Sequence, residues 1–241
     1  MSIIAIIPAR FDSTRFPGKP LADINGKSMI QRVYEQALKV DSLNKVVVAT
    51  DDDRIFNHCS SLNINVVMTS NSHRNGTERI IEVVKKESQS FDFVLNIQGD
   101  EPFVHPVQIQ SLCDLMITGK YDIATLAKRI DNKEEKDNSN TVKLVKSIGG
   151  RALYFSRYSI PFDRNNTKPN MFKHIGMYAF KTNVLLEIEN IKPTALEVSE
   201  SLEQLRWLEN DYTIGVAETE YESYGIDTPE DITNALQNIN N

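Results

Sequence analysis

Five consecutive aliphatic residues near the start of the chain, Ile3-Ile4-Ala5-Ile6-Ile7, stop at Pro8 with no polar residue among them. A strand with one wet face alternates in polarity. An unbroken run of this kind reads as a strand buried on both faces, which is the habit of parallel sheets covered by helices. Lys45–Ala49 (KVVVA) and Phe93–Ile97 (FVLNI) repeat the pattern. Amphipathic segments separate these runs. Ser28 can cap a helix carrying Met29, Ile30, Val33, Ala37 and Leu38; residues 51–62 form a second helix; Thr77 can cap a third with Ile80, Ile81, Val83 and Val84. Ile64–Met68 and Ile123–Leu126 add strands, and Pro106 suits the first turn of a helix ending at Gly119. The expectation is an α/β fold, a Rossmann-like, mostly parallel central sheet flanked by helices. Ligands of such sheets bind outside the carboxyl ends of the strands, so the loops after Ile7, Met68 and Ile97 are the places for chemistry.

The second half changes character. Residues 133–140 are a charged connection. Val142–Val145 and Ala152–Phe155 flank Gly149-Gly150 as a hairpin, and Ile175–Phe180 is a further strand. Residues 165–170 (NNTKPN) read as a mobile loop, Glu200–Leu208 as a helix, and Thr213–Ala217 as a strand. Thr228-Pro229-Glu230-Asp231 opens a last helix, with acids in its first turn. The expected organisation is one domain over 1–241, with 128–190 as a β-rich insertion.

Composition excludes several classes. With 241 residues the chain can bury roughly 70–75% of its unfolded surface, so it needs no staple to fold. Its net charge of −6 argues against a nucleic-acid partner. No apolar stretch reaches the length of a membrane span, and the N-terminus lacks the basic flank of a signal peptide, so the expected setting is cytoplasmic, without membrane insertion. The two cysteines, Cys59 and Cys113, read as reduced core thiols, and the four histidines lack zinc-like spacing.

The densest chemistry lies in Pro8-Ala9-Arg10-Phe11-Asp12-Ser13-Thr14-Arg15-Phe16-Pro17-Gly18-Lys19-Pro20. Arg10, Arg15 and Lys19 place three cations within ten residues at a ligand edge, where Pro17 and Pro20, with Gly18 between them, limit the flexibility of the loop. Such a loop can wrap a triphosphate with charge, hydroxyls and backbone N–H groups. It is not a Walker A loop.

The pattern P-A-R-x-x-S-T-R-x-P-G-K-P resembles the signature of the cytidylyltransferases that activate 3-deoxy-D-manno-octulosonate (Kdo). His73–Arg79 (HRNGTER), Asn96–Pro102 (NIQGDEP), Ile226–Asp231 (IDTPED), Tyr154–Arg157 (YFSR), Ile160–Arg164 (IPFDR), His174–Tyr178 (HIGMY) and Leu202–Arg206 (LEQLR) extend the match through nearly the whole chain. The resemblance implies transfer of CMP from CTP to the anomeric hydroxyl of the sugar acid, with release of pyrophosphate, in lipopolysaccharide assembly. It implies Mg²⁺ on Asp100 and Asp227, phosphate contacts from Arg10, Arg15 and Lys19, and a nucleotide site of Pro8, Ala9, Arg74, Asn75, Gly76, Thr77 and Gln98. The acceptor site would hold Gln98, Arg157, His174, Tyr178, Glu203 and Gln204, with Arg164 as a weaker candidate. A homodimer through the β-rich insertion is also implied.

The residues alone leave CTP against UTP and Kdo against its 8-amino analogue open. Other readings are a cytidylyltransferase for another sugar acid, a nucleotide-binding module without catalysis, and a glycosyltransferase using the D-x-D of Asp51-Asp52-Asp53. For the last, helix capping is the simpler account of the acids. Asp227 alone would likewise read as a cap beside Thr228-Pro229. Trp207 is expected in the core or a subunit contact.

Overall fold

A computed structural model of the chain describes residues 1–239. They pack as two units: Met1–Gln110 together with the segment from Ser223 onward, and Ser111–Glu222. The expected subregion 128–190 falls wholly inside the second unit.

The first unit holds β1 (Ile3–Ala9), the two-residue strands β2 (Asp23–Ile24) and β3 (Lys27–Ser28), α1 (Met29–Ala37), β4 (Lys45–Thr50), α2 (Asp53–Ser61), β5 (Val66–Met68), α3 (Gly76–Lys86) and β6 (Phe93–Asn96); α4 (Pro106–Ile117) follows. Its sheet runs β6-β1-β4-β5 with every neighbouring pair parallel. β1 is the centre, and Ile3 through Ile7 are each at most 1% exposed, the burial an unbroken aliphatic run requires. Parallel alignment brings the ends of all four strands to one edge. Ala9 pairs with Thr50, Thr50 with Met68, and Ile6 with Asn96, so the segments after them leave the sheet side by side.

The helices begin where short polar side chains can take an orphan N–H. Ser28 Oγ accepts from Gln31 N at 3.3 Å, and Asp52 Oδ1 from Arg54 N at 2.9 Å. The cap of α3 is Asn75 and not the expected Thr77. Asn75 stands in extended backbone and accepts from Glu78 N at 2.9 Å, while Thr77 is already inside the first turn and buried. The last helix, Pro229–Ile239, belongs to this unit, where Ile226 and Ala235 share a core cluster with Ile24 and Met29.

The second unit holds β7 (Ile123–Arg129), α5 (Lys133–Asp137), β8 (Lys143–Lys146), β9 (Ala152–Ser156), β10 (Phe172–Lys181), α6 (Thr182–Ile188), α7 (Ala195–Glu200), α8 (Glu203–Glu209) and β11 (Ile214–Glu218). β11 pairs parallel with β7; β7 with β10, β10 with β8 and β8 with β9 are antiparallel. The hairpin around Gly149-Gly150 is therefore β8–β9. The single helix expected over Glu200–Leu208 is broken. Ser201 takes a left-handed conformation (φ 53°), which ends α7 and lets α8 start afresh at Glu203. Within the exposed stretch 165–170, the Asp163 carboxylate accepts from Thr167 N at 2.8 Å and Lys168 N at 2.9 Å. Cys59 and Cys113 are buried free thiols, pushed up to about 11 and about 12 by burial.

Candidate active site

The edge formed by the strand ends of the first unit carries a cavity of about 370 Å³, lined among others by Pro8, Arg10, Arg15, Lys19, Gln98 and Asp100. The loop after β1 folds back on itself. Gly18, at φ +71°, donates its N–H to Phe11 O at 2.9 Å, and Pro20 enters a short 3₁₀ turn that fixes Lys19 at its start. A left-handed glycine between Pro17 and Lys19-Pro20 makes that reversal without strain.

Lys19 is the centre of charge. Its Nζ lies 2.8 Å from Asp100 Oδ2 and 3.2 Å from Asp227 Oδ1, and Arg15 Nη2 lies 2.9 Å from Asp227 Oδ2. Asp100 and Asp227 stand 127 residues apart in the chain, yet both reach one ammonium nitrogen. The backbone secures this. Ile226 N donates to Asp100 O at 2.9 Å, pinning the two acidic segments together. The capping work that Asp227 could have done falls to Thr228, as its place before Pro229 suggests: Thr228 Oγ1 accepts from Asp231 N at 3.4 Å, while Asp231 Oδ2 accepts in return from Asp227 N at 2.9 Å and Thr228 N at 2.7 Å. The Asp227 carboxylate is thereby left to face the cations.

Gly99 explains why Asp100 can come so close to β1. A Cβ on Gly99 would stand 2.5 Å from Pro8 O, so any side chain there would push the turn away.

Arg10 points toward the segment before α3. Its guanidinium donates to the carbonyls of His73, Arg74 (3.5 Å) and Asn75 (3.4 Å). Burial and the nearby Arg79 lower its pKa, while Asp51 and Glu78 raise it. The same segment is held from its other side by Glu82, which binds His73 Nε2, Ser70 N and Lys86. Burial alone would raise the Glu82 carboxyl; the hydrogen bonds from Lys86, Ser70 N and His73 outweigh it and hold the group near 2. Gly76 lies in the first turn of α3, close enough that a Cβ there would stand 3.3 Å from the Pro8 ring. Residues 8–10, 74–77 and 98 thus gather at one edge.

The acceptor candidates of the sequence lie in the second unit, apart from Gln98. His174 and Tyr178 sit on β10 with ring centroids 5.4 Å apart. Their partners on β7, Ala127 and Thr125, are only two residues apart, because a bulge between Ile175 and Tyr178 absorbs the difference. His174 Nε2 is 2.9 Å from Thr125 Oγ1, and burial drives its pKa down to about 3. Tyr178 packs edge-on against Trp207 at 4.9 Å, its hydroxyl buried without a hydrogen-bond partner and its pKa raised by burial and by Glu203. Trp207 is 1% exposed, in the core as expected. Gln204 is buried, and Glu203 holds Arg206 Nη2 at 2.6 Å. Arg157 Nε is anchored to Glu200 O at 2.7 Å, while its terminal nitrogens make longer contacts, 3.2 Å to Ser139 O and 3.4 Å to Ser201 O. Arg164 lies in the loop after cis-Pro161, its N–H donating to Phe162 O at 3.2 Å.

Sequence reasoning gave no part to Gly99 or Arg79. A buried arginine was signalled by its place beside the apolar face of Ile80, Ile81 and Val83. Of the acidic run 51–53, Asp51 is engaged with Arg79 at 2.7 Å and Asp52 with Arg54 at 2.6 Å, while Asp53 stands in the first turn of α2.

A family model for cytidylyltransferases matches residues 4–216. The chain is 48% identical to a 3-deoxy-manno-octulosonate cytidylyltransferase of Cytophaga hutchinsonii (96% of this chain, 95% of that one) and 51% identical to one of Parabacteroides distasonis (98% and 97%). It superposes with TM-score 0.94 on a CMP:2-keto-3-deoxy-manno-octonic acid synthetase solved with CTP, 38% identical over 100% of both chains. A 4-diphosphocytidyl-2C-methyl-D-erythritol synthase of Anaerococcus prevotii shares the fold, at TM-score 0.66 and 15% identity over 100% of this chain and 99% of that one. By matched length, identity and structure, the chain belongs to the 3-deoxy-manno-octulosonate cytidylyltransferase family.

Proposed function

We propose that the protein transfers the cytidylyl group of CTP to 3-deoxy-D-manno-octulosonate, forming CMP-Kdo and pyrophosphate for lipopolysaccharide assembly. The observation that carries this reading is the meeting of Lys19 with Asp100 and Asp227 within 3.2 Å, beside a cavity also lined by Arg10 and Arg15. In the reaction the anomeric oxygen bonds to the α-phosphorus, the bond from that phosphorus to the β-phosphate oxygen breaks, and pyrophosphate leaves with the electron pair. The hydroxyl proton passes to solvent. Such chemistry needs positioning and charge neutralisation more than covalent help from the protein. Arg10, Arg15 and Lys19 supply cations for the triphosphate and the departing pyrophosphate. Pro8, Ala9, Arg74, Asn75, Gly76, Thr77 and Gln98 supply the polar edge for base and ribose.

Among the described residues no three His, Cys, Asp or Glu side chains gather as metal ligands. Asp100 and Asp227 nevertheless fit Mg²⁺, which takes one or two carboxylates and completes its shell with phosphate oxygens and water. Two carboxylate oxygens already reach a single cation, Lys19 Nζ. When bound there, Mg²⁺ would offset phosphate charge and ease deprotonation of the acceptor hydroxyl.

Gln98, Arg157, His174, Tyr178, Glu203 and Gln204 are proposed as acceptor contacts. Arg157 suits the sugar carboxylate: its long terminal contacts can give way to a bidentate pair while Nε stays anchored. A homodimer is proposed through the second unit, where Tyr158, Phe162 and Val198 stand 81%, 87% and 68% exposed. The setting is proposed as cytoplasmic; among the described residues no helix is long and apolar enough to cross a membrane.

The test is pyrophosphate release with each of four nucleoside triphosphates against Kdo, its 8-amino analogue, sialic acid and a hexose 1-phosphate. Release with CTP and Kdo is expected. Release only with another acceptor would overturn the assignment. Sedimentation velocity reads the dimer, which Phe162→Asp should weaken.

A further inference from the structure

The D-x-D acids include one residue that the proposed chemistry leaves unused and the fold does not. Asp51 is the first residue after β4 and Arg10 the first after β1; Thr50 and Ala9, which precede them, are partners in register, so the two side chains leave adjacent strands at the same level. Asp51 Oδ2 accepts from Arg79 Nη2 at 2.7 Å. Arg79 is fully buried on α3, and its Nη1 also donates to Thr69 Oγ1, which passes a hydrogen bond on to Thr50 O at 3.0 Å.

Arg10 holds the carbonyls of residues 73 to 75 on the very segment that leads into α3. Arg79 thus ties Asp51 to Thr69, at the start of the connection into α3, while Arg10 holds the carbonyls nearer its end, and Arg10, Asp51 and Asn71 line one common cavity. Arg10 feels Arg79 as a repulsion and Asp51 as an attraction. An arginine cannot relieve such repulsion by losing its proton, so only an anion or a movement can. Asp51 is the anion in place before any phosphate arrives.

We infer that Asp51 and Arg79 are positioning residues for the nucleotide: their ion pair presets Arg10 and the residue 73–76 turn, so that loss of the Asp51 charge acts chiefly on binding of CTP and far less on turnover, where Arg15 and Lys19 also meet the departing pyrophosphate. The inference rests on the reading that Arg10 and this turn bind CTP.

Asp51→Asn keeps the shape of the side chain and removes its charge. Its KM for CTP should rise about tenfold, with kcat and the KM for the sugar acid within about threefold of the parent. Asp51→Glu should restore the CTP KM to within about threefold. The double variant Asp51→Asn/Arg79→Gln also removes the uncompensated cation, and its CTP KM should fall back toward the parent value. An Asp51→Asn enzyme with unchanged CTP KM, with kcat and both KM values altered alike, or unable to fold would overturn the inference and leave the pair a structural one. Arg10→Ala separates the two layers. If it leaves the CTP KM unchanged, the reading of Arg10 itself fails; if it raises that KM while Asp51→Asn does not, only the positioning role fails.

Discussion

The charged edge of the first unit and the aromatic cluster of the second are built on opposite terms. Lys19, Asp100 and Asp227 hold side chains 13%, 34% and 47% exposed, locked to one another by charge. Tyr178, Phe180 and Trp207 are each under 8% exposed and pack ring to ring within 6.0 Å. Half-wet ion pairs contribute little to stability, typically about 0–1 kcal/mol, so the first group is free to trade its partners for a ligand. Buried aromatic packing contributes several kcal/mol, and the second group carries the fold. The cluster also leaves the Tyr178 hydroxyl and Trp207 Nε1 buried without partners. The contrast teaches that one protein can keep exchangeable charge at one edge and commit apolar surface to stability elsewhere, and it leaves buried polar atoms without partners in both units, Arg79 Nε and Asn96 Oδ1 in the first as well as these two in the second.

The contrast breaks most readily at Trp207. Trp207→Ala should destabilise the protein by about 3–5 kcal/mol in chemical denaturation, since a large buried ring leaves a cavity. A loss under about 1 kcal/mol would deny the cluster its structural role. Lys19→Ala should do the reverse, costing on the order of 10²–10³-fold in turnover for a small change in stability. Unchanged pyrophosphate release by folded Lys19→Ala would remove Lys19 from the reaction. With its ammonium gone, Asp100 and Asp227 repel, so Mg²⁺ should raise the melting temperature of this variant more than that of the parent. Equal shifts would count against the metal pair.

Gly99→Ala sharpens the boundary between the two kinds of effect. Its new methyl meets Pro8 O at 2.5 Å, so turnover should fall about tenfold to a hundredfold as Asp100 is displaced, with about 1–3 kcal/mol of overpacking strain. Parent-like kinetics would show that the turn has room to move.

Smallest when read per pH unit is a pH dependence in the second unit. Burial lowers His174 to about 3 from an ordinary 6.5, so its contribution to stability is complete above the unfolded value and is lost as pH falls from about 6.5 toward 3. The unfolded chain binds the extra proton in that window, giving a slope approaching about 1.4 kcal/mol per pH unit. His174→Gln should flatten the stability–pH curve there, and an unchanged slope would place the acid sensitivity elsewhere.

Much of the fold is legible locally because local rules set it. An aliphatic run like Ile3–Ile7 has one comfortable place, the middle of a covered parallel sheet, and Ser28 or Asp52 caps a helix by chemistry within three residues. The boundaries read less well where long-range packing or a backbone twist intervened. Thr77 lost the cap to Asn75, and Ser201 broke a helix whose polarity pattern ran on without interruption. The β10 bulge that draws His174 and Tyr178 together has no signal stronger than one glycine, Gly176.

For the site, the inventory can be read from the chain alone: three cations behind β1, two carboxylates in turn-rich segments, a helix start near Asn75-Gly76, and motifs that together mark the family. Residue type and spacing suffice there, because charge and hydrogen-bonding capacity belong to the side chain. Which of these groups meet is a matter of three-dimensional packing. The meeting of Asp100 and Asp227 at Lys19 depends on a backbone hydrogen bond from Ile226, the approach to β1 on a missing Cβ at Gly99, and the freedom of the Asp227 carboxylate on Thr228 taking the cap. Each is a contact between segments far apart in the chain or a competition between neighbours for one hydrogen bond, and a linear pattern records neither.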